Sequence, residues 1–464
     1  MKLRSHLTSL RPLAAALSLA LASGFTVTDA AARVDFGPAL ARDFVPTAAV
    51  TNCDDAGPGS LREAYAGAAN GDVIDLTGLT CSTITLTTGA LIDSPLAENV
   101  TIVGPGKDLL TIDGSHANRV LVHNGEQLLG LAGLTIANGS YLGYYGGGCI
   151  YAYGDVALEN AVVTGCTLLA TNSDNAYGGA IYAHGSVQAV YSAITDSSAT
   201  SPHGNSGGGA VWSRSVRILA STISGNTATG DGAHHARGGG VSVATDVEIG
   251  YSLFAGNTAG RGGGLYIFGA SDNLFVFDST FSGNHALSIA GGIYAKERPL
   301  RIANSTITLN TAWFDFGAGV YLGADADIQS TIIAGNTSSN GSPPSDLGGN
   351  DGVVTVTGAN NLVMDSTLAL PAGTITTDPL LGPLQDNGGR TWTHALLPGS
   401  PAIDHGNNIN GFDIDQRVYD ETVTQRGYER RAGAATDIGA FESGSPDTIF
   451  YDGFDDEAAF GPVN

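Results

Sequence analysis

Aromatic, acidic, histidine and arginine side chains are concentrated in a series of short loops in the middle of the chain. These loops read "SYLGYY", "TNSDNAY", "TSPHGNS" and "TGDGAHHAR". A sugar ring has an apolar face and a rim of hydroxyl groups, so it suits aromatic rings beside hydrogen-bonding groups, and binding residues concentrate on loops that a rigid scaffold holds. The candidate glycan-binding residues are Tyr141, Tyr144, Tyr145, Asp174, Tyr177, His203, Asp231, His234, His235 and Arg237.

Two other interpretations of these loops stay open. The loops could be variable decorations whose aromatic rings pack over neighbouring segments. The pair His234 and His235 could instead bind a divalent metal ion together with His203 or Asp231. A structural zinc site has four ligands as a rule, so we predict neither a metal site nor a cofactor from this pair, although so acidic a chain could bind calcium.

Seven copies of a repeat, from Gly146 to Ser338, determine where these loops lie. One copy reads "GGAIYAHGSVQAVYSAITDSSA" and another "GGGVSVATDVEIGYSLFAGNTA". Each copy begins with glycine residues and an apolar pair, continues in short alternating segments, and in most cases ends near an asparagine. These asparagines are Asn226, Asn257, Asn284, Asn310 and Asn336, spaced by 31, 27, 26 and 26 residues. A fixed period of this length predicts structural units that stack on one another.

The alternating runs in each copy predict short half-buried strands. One coil cannot bury its inner row alone, whereas coils stacked at roughly 4.8 Å pair every strand with its copies above and below. The glycine triplets lead into strands and not into helices, so they predict corners with positive φ and close stacking rather than phosphate-binding loops. The recurring asparagine, which tolerates a left-handed backbone, predicts a corner ladder. The predicted fold is all-β, a right-handed single-stranded parallel β-helix with a short N-terminal capping helix.

The stretch "GSLREAYAGAANGD" predicts that capping helix. Ser60 is a suitable N-cap with Glu63 three residues later, and Leu61 and Tyr65 fall on one face. A solenoid end needs such a cover because an open coil exposes its core and its strand edges.

The N-terminus predicts export. Lys2, Arg4 and Arg11 precede the apolar run Leu13–Leu21, and an alanine-rich segment ends at Ala32, which is typical of a secretory signal peptide. No other apolar run approaches the roughly 20 residues that span a bilayer. We therefore expect a secreted or cell-surface protein with no transmembrane helix in the mature chain.

Four cysteines follow this segment, and an even number in an exported chain favours disulfides over metal ligands. The predicted pairs are Cys53 with Cys81 and Cys149 with Cys166. Four buried thiols are the alternative.

The charge of the chain limits its partners. It has 20 Lys and Arg against 44 Asp and Glu, and loss of residues 1–32 would change the formal charge from −24 to −26. Such a surface repels nucleic acid and anionic lipid, so we predict no nucleic acid partner. Calcium, a basic partner or a neutral glycan suits it better, and an extracellular glycan or a cell-surface component is the partner that we expect.

Both ends of the chain resemble known families. The stretch "TNCDDAGPGSLREAYAGAANGD" resembles the N-terminal region of exported bacterial CSLREA-domain proteins, with Gly59 at the position of the cysteine in that name. The stretch "DNGGRTWTHALLPGSPAIDHGNN", with "DIGAFE" at Asp437–Glu442, is similar to the C-terminal region of choice-of-anchor Q proteins. Here Val418–Gln425 separate "DQR" from the Arg-Gly pair expected beside it. These resemblances imply an exported β-helix protein and specify no catalytic activity.

The repeats also resemble those of polymorphic outer membrane proteins, through "GGAI" at Gly178–Ile181 and "FxxN" at Phe254–Asn257 and Phe281–Asn284. The organisation predicted from the residues and these resemblances is a signal peptide at 1–32, a linker at 33–50, an N-terminal cap at 51–82, the β-helix at 83–400, a choice-of-anchor Q-like region at 401–444 and an acidic sorting or anchor-like tail at 445–464.

Many β-helix proteins degrade polysaccharides, so catalysis has to be weighed. Inverting hydrolysis needs two carboxyl groups roughly 6.5 to 9.5 Å apart, yet Asp-Asp pairs occur only at Asp54–Asp55 and Asp455–Asp456, and the repeats contain few bases for lyase chemistry. We predict no catalytic residue. The function predicted is a non-catalytic adhesin, structural or glycan-binding scaffold; the alternative is a pectin lyase-like polysaccharide lyase or a glycoside hydrolase.

Overall fold

Parallel strands stacked along one axis make up nearly all of the regular structure. The computed structural model describes residues 45–143, 146–171, 174–269, 273–314, 316–340, 346–350, 353–407 and 423–445. Within those residues the strands form four parallel sheets of 12, 11, 10 and 11 strands, here named A, B, C and D. Each full coil passes through sheets C, A, B and D in turn. The prediction of a parallel β-helix is confirmed.

Sheets A and B are the longer uninterrupted stacks. Sheet A contains Ala48–Ala49, Asp72–Asp75, Val100–Val103, Leu128–Ala132, Asp155–Glu159, Ser186–Val190, Ser215–Leu219, Val247–Gly250, Leu274–Phe277, Leu300–Ala303, Ala326–Gln329 and Val356–Thr357. Sheet B contains Thr83–Thr85, Thr111–Asp113, Thr135–Ala137, Val162–Thr164, Ala193–Thr195, Thr222–Ser224, Leu253–Ala255, Thr280–Ser282, Thr306–Thr308, Ile332–Ala334 and Leu362–Val363.

Sheets C and D carry the glycine corners and the loops. Sheet C contains Leu91–Ile92, Leu121–His123, Ile150–Ala152, Ile181–Ala183, Val211–Ser213, Val241–Val243, Leu265–Ile267, Ile293–Ala295, Val320–Leu322 and Leu347–Gly349. Sheet D contains Ser140–Leu142, Thr167–Leu169, Ser198–Thr200, Thr227–Thr229, Thr258–Arg261, His285–Ile289, Thr311–Ala312 and Thr337–Ser338, with a second row of Ala176–Tyr177, Ser206–Gly207 and Ala236–Arg237.

Every second side chain of a strand fills the interior of the solenoid. Val187, Val216 and Val247 lie beside one another in sheet A, and all three are buried. Ile194 and Ile223 form a matching column in sheet B. The alternation follows from the two-residue period of a strand. Each fully buried Val, Leu or Ile stabilises the fold by about 1.5–3 kcal/mol, so these columns are the main source of stability.

The asparagines at the ends of the repeats form a buried ladder inside the solenoid. The side-chain amide of Asn226 donates a 3.0 Å hydrogen bond to Oδ1 of Asn257, which also accepts from the backbone N–H of Asn226 at 3.1 Å. Asn257, Asn284 and Asn310 each repeat this pair of bonds with the next asparagine. The left-handed conformation belongs to the preceding residue, such as Gly256 with φ of 62°. The predicted asparagine ladder is therefore present, but the asparagines themselves do not use the left-handed backbone that this residue type tolerates; their amides satisfy buried backbone groups.

The glycine triplets form the corners, and neighbouring glycines in one triplet have different roles. Gly262 has φ of 60°, in the left-handed region that favours glycine. Gly263 does not have positive φ, but a Cβ atom there would lie 2.5 Å from the backbone oxygens of Gly291 and His285. The first position therefore needs glycine for its conformation, and the second for the close approach of the next coil.

A short helix, Leu61–Ala66, lies near the N-terminal end, as predicted. The Ser60 hydroxyl accepts a 3.2 Å hydrogen bond from the backbone N–H of Glu63, and the Glu63 carboxylate accepts a 2.7 Å bond from Gly59 N–H. Leu61 and Tyr65 are fully buried in the core. The helix thus closes the end of the hydrophobic interior. The described part of the chain contains no helix with the length and apolarity needed to cross a bilayer.

Both predicted disulfides are confirmed. Cys53 pairs with Cys81, with their Cα atoms 6.5 Å apart. Cys149 pairs with Cys166, with their Cα atoms 5.4 Å apart. The first bond lies in the N-terminal cap region, and the second joins the start of one coil to its sheet D side.

The C-terminal segment packs back along the outside of sheet B. It contains an antiparallel hairpin, Leu381–Gln385 with Thr393–Leu396. The Thr280 hydroxyl donates a 2.6 Å hydrogen bond to the Gln425 side chain, and buried Arg430 forms an ion pair with buried Asp278. These contacts cover the outer face of sheet B on the C-terminal coils.

Candidate functional site

The predicted loops adjoin one another along one side of the solenoid. The short strands Ala176–Tyr177, Ser206–Gly207 and Ala236–Arg237 pair in register, which places Tyr177, Gly207 and Arg237 in one row. The backbone N–H of Asp231 donates a 3.0 Å hydrogen bond to the carbonyl of Gly204 in the preceding loop. We call this set of loops, from Tyr141 to Arg237, the loop ridge.

The candidate residues differ in exposure. Those that are half-buried are Tyr141, Asp174, Tyr177 and Arg237, and those that are exposed are His203, Asp231, His234 and His235. Tyr144 and Tyr145 lie outside the described residues. Glycan binding by these residues stays a prediction.

A row of aromatic rings runs along the outer face of sheet C beside the loop ridge. Each is the middle residue of a strand whose neighbours point into the core, as Tyr182 does between buried Ile181 and Ala183. The aromatic column consists of Tyr151, Tyr182, Trp212, Tyr266, Tyr294 and Tyr321, placed by the strand register in successive coils, with Ser242 between Trp212 and Tyr266. This column is not among the residues predicted from the sequence, although an aromatic residue stands at the same place in most of the repeats.

The rings of the aromatic column stack on one another. Tyr182 and Trp212 have centroids 4.7 Å apart and nearly parallel rings, and Tyr294 and Tyr321 are likewise 4.7 Å apart. Because their faces contact each other, the rings cover one another: Tyr182, Tyr266 and Tyr294 are only 4%, 2% and 6% exposed, whereas Tyr151, Trp212 and Tyr321 are half-buried. Burial raises the pKa of Tyr294 to about 12 and that of Tyr151 even further. These phenols therefore stay protonated at neutral pH and can donate hydrogen bonds.

The loop ridge and the aromatic column form one continuous surface. Tyr177 of the ridge stacks on Trp212 of the column at 5.6 Å between centroids. The Arg119 guanidinium carbon lies 3.3 Å from the ring centroid of Tyr141 and 5.0 Å from that of Tyr151. Ridge and column thus contact each other directly at Tyr177 and Trp212, and Arg119 bridges them at Tyr141 and Tyr151.

Exposed aromatic rings extend this surface toward the C-terminal coils. Trp313 and Phe316 are 50% and 49% exposed, and Phe314 lies between them in sequence. The backbone N–H of Phe314 donates a 2.9 Å hydrogen bond to the carbonyl of Ser288, whose hydroxyl lies 3.5 Å from Nδ1 of His234 in the loop ridge. These rings, unlike those of the aromatic column, offer much of their surface to a ligand.

The chain was compared with models of protein families, with curated proteins and with solved structures. None of the three comparisons finds a match.

Metal binding by the histidine pair gains no support from the structure. Among the described residues, no three His, Cys, Asp or Glu side chains lie close enough together to hold a metal ion. Instead, Nδ1 of His234 lies 2.9 Å from a guanidinium nitrogen of Arg261, within hydrogen-bond distance.

Two carboxyl groups with raised pKa values lie away from this surface. Burial raises the pKa of Asp346 to about 6, and this carboxylate ends the asparagine ladder by accepting from both nitrogens of Asn336. Burial also raises the pKa of Glu442 to about 7, where its oxygens accept from the backbone of Ala432 and Asp437. Both carboxyl groups therefore have structural partners.

Proposed function

We propose that this chain is an exported, surface-associated β-helix protein that binds glycan without catalysis. The observation that carries the proposal is the continuous surface of the aromatic column, the loop ridge and the exposed rings of Trp313 and Phe316. Such a glycan-binding surface is compatible with an adhesin and also with a structural protein at the cell surface.

The chemistry of this surface suits carbohydrate. Exposed rings can pack on the apolar face of a sugar, and the hydroxyls of half-buried Tyr151 and Tyr321 can bond its hydroxyl rim. The coils that carry these side chains repeat about 4.8 Å apart along the axis. Such a regular array on a rigid scaffold suits a polymer with repeating units.

Export is part of the proposal. It rests on the signal-like residues 1–32, on the resemblance to CSLREA-domain and choice-of-anchor Q proteins, and on the two disulfides. Disulfides persist mainly in oxidising compartments, so their presence is compatible with a location outside the cytoplasm.

A glycan array with the purified protein tests binding. We expect the wild-type protein to bind a subset of glycans and Trp313→Ala/Phe316→Ala to lose at least about tenfold in affinity, a loss of about 1.4 kcal/mol. Trp392→Ala is the matched control, since Trp392 is 52% exposed but lies in the C-terminal segment. Equal glycan affinity of the two variants would contradict glycan binding at the surface that includes Trp313 and Phe316.

Incubation with the same polysaccharides distinguishes binding from catalysis. We expect no new reducing ends and no unsaturated uronates. Release of either product would assign an enzymatic function instead.

A further inference from the structure

Two arginines occupy equivalent positions in neighbouring coils beside the aromatic column. The strands Ala236–Arg237 and Thr258–Arg261 are paired, and their register places Arg237 beside Arg261. Neighbouring strands are about 4.8 Å apart, and paired residues point to the same face. Two half-buried positive charges therefore lie in paired positions on the same face.

Neither arginine has a carboxylate partner within the part of the chain that the structure describes. Arg261 contacts Nδ1 of His234 at 2.9 Å, and the Arg237 guanidinium carbon lies 5.9 Å from the ring centroid of Tyr266. The Nε–H groups of both arginines are buried and make no hydrogen bond among the described residues. Adjacent like charges repel each other, and a buried donor without an acceptor destabilises the fold.

Other arginines of this acidic chain do have carboxylate partners. Arg217 pairs with Glu248 at 3.0 Å, and Arg62 pairs with Asp55 at 2.5 Å. With 44 acidic residues against 20 basic ones, a pair of arginines without an acid beside them is a local exception to the charge of the molecule.

The groups around the two arginines are mainly donors. Tyr294 lies close enough for both guanidinium groups to lower its pKa, yet burial still raises that pKa to about 12, so the phenol keeps its proton. Buried Ser242 occupies the register position between Trp212 and Tyr266, and the ring of Phe268 stacks on both of those rings, at 6.4 Å and 6.0 Å between centroids. Two guanidinium groups beside a protonated phenol are complementary to an anion.

We propose that Arg237 and Arg261 bind an anionic substituent of the glycan, either a carboxylate or a sulfate ester. Guanidinium groups bind both through paired, charge-assisted hydrogen bonds. This inference rests on the proposed function and makes it more specific: the ligand class is acidic polysaccharide, in contrast to the neutral glycan that the total charge favours.

Three polymers with one backbone test the proposal: dextran, carboxymethyl dextran and dextran sulfate. Wild-type protein is compared with Arg237→Gln/Arg261→Gln and with the control Lys107→Gln/Arg431→Gln, which makes the same change in charge away from the aromatic column. We expect wild type and control to bind at least one charged dextran about ten times more tightly than dextran, and the Arg237→Gln/Arg261→Gln variant to lose this preference. Preference for one charged polymer identifies the substituent.

Equal affinity of wild type for all three polymers would overturn the acidic ligand class, as would an unchanged preference in the Arg237→Gln/Arg261→Gln variant. If the glycan array shows binding to neutral glycans, either result contradicts only the acidic ligand class and not the proposed glycan binding. An array with no ligand at all would overturn the proposed function itself. Circular dichroism of the two double variants checks that each keeps its fold.

Discussion

At the scale of single residues, buried polar side chains keep the coils in register. Each ladder asparagine satisfies a backbone N–H and shares its own amide with the next coil. Asp346 ends this ladder with a carboxylate and not an amide, and it is fully surrounded by protein. The ladder therefore contains a group whose charge depends on pH.

Two buried carboxyl groups, Asp346 in the ladder and Glu442 in the C-terminal segment, make the stability of the fold dependent on pH. The pKa values of Asp346 and Glu442, about 6 and about 7, are above their ordinary values of 3.8 and 4.5. Such carboxyl groups bind protons more tightly in the folded chain than in the unfolded chain, so the free energy of unfolding falls as pH rises through this interval. The contribution of these two carboxyl groups to Tm should be larger at about pH 5 than at about pH 8, whereas buried His394, whose pKa is lowered by burial, contributes in the opposite direction.

The variant Asp346→Asn/Glu442→Gln should show a smaller difference in Tm between these two pH values, because neither new side chain titrates. Its Tm at either pH can be lower, since amides cannot accept every bond that the carboxylates accept. The same pH dependence in variant and wild type would contradict the assignment.

At the scale of the structural element, glycine permits a corner where two coils approach closely. Gly263 has backbone atoms of the next coil where a Cβ would lie, whereas Gly256 has open space there but a left-handed backbone. Gly263 is thus required for the close approach of the next coil, and Gly256 for its left-handed backbone conformation.

Alanine at these two glycines should therefore have different effects. Gly256→Ala should cost about 1–2 kcal/mol for a left-handed residue with a side chain. Gly263→Ala should cost more than about 3 kcal/mol, since rigid backbone cannot move away as a side chain can. Denaturant unfolding of both variants measures the difference. Equal losses would show that the close approach at Gly263 contributes little.

At the scale of the whole molecule, the C-terminal segment and the solenoid depend on each other. Arg430 and Asp278 are almost completely buried where the two meet. Removal of one member of a buried ion pair costs about 3–5 kcal/mol, because the other charge is left without a partner. We expect Arg430→Met to lose about this much in denaturant unfolding.

The double variant Arg430→Met/Asp278→Asn should recover part of that loss. Asparagine is the suitable replacement because Asp278 has φ of 44° and asparagine tolerates the left-handed region. A double variant less stable than Arg430→Met would contradict the ion-pair explanation.

The sequence predicts most of the fold because its information is local and repeated. Strand alternation, glycine corners and the Ser60–Glu63 capping box are each contained within a few residues. The aromatic column is missed because in "IYA" an isoleucine and a tyrosine look equally suited to the core; only the strand register assigns Ile181 to the inside and Tyr182 to the outside. Arg237 is among the residues predicted from the sequence, but its pairing with Arg261 is not, since the two are 24 positions apart in the sequence.

Tryptophan accessibility tests most directly whether glycan binds at the surface that includes the aromatic column. Trp313 and Trp392 are almost equally exposed, at 50% and 52%, but only Trp313 adjoins that surface. Two variants would each keep one of them, with Trp212→Tyr and the remaining tryptophan changed to phenylalanine. Acrylamide quenching is then measured with and without a saturating glycan from the array. We predict that glycan protects Trp313 and leaves Trp392 unchanged; equal protection of both, or protection of Trp392 alone, would contradict the proposal.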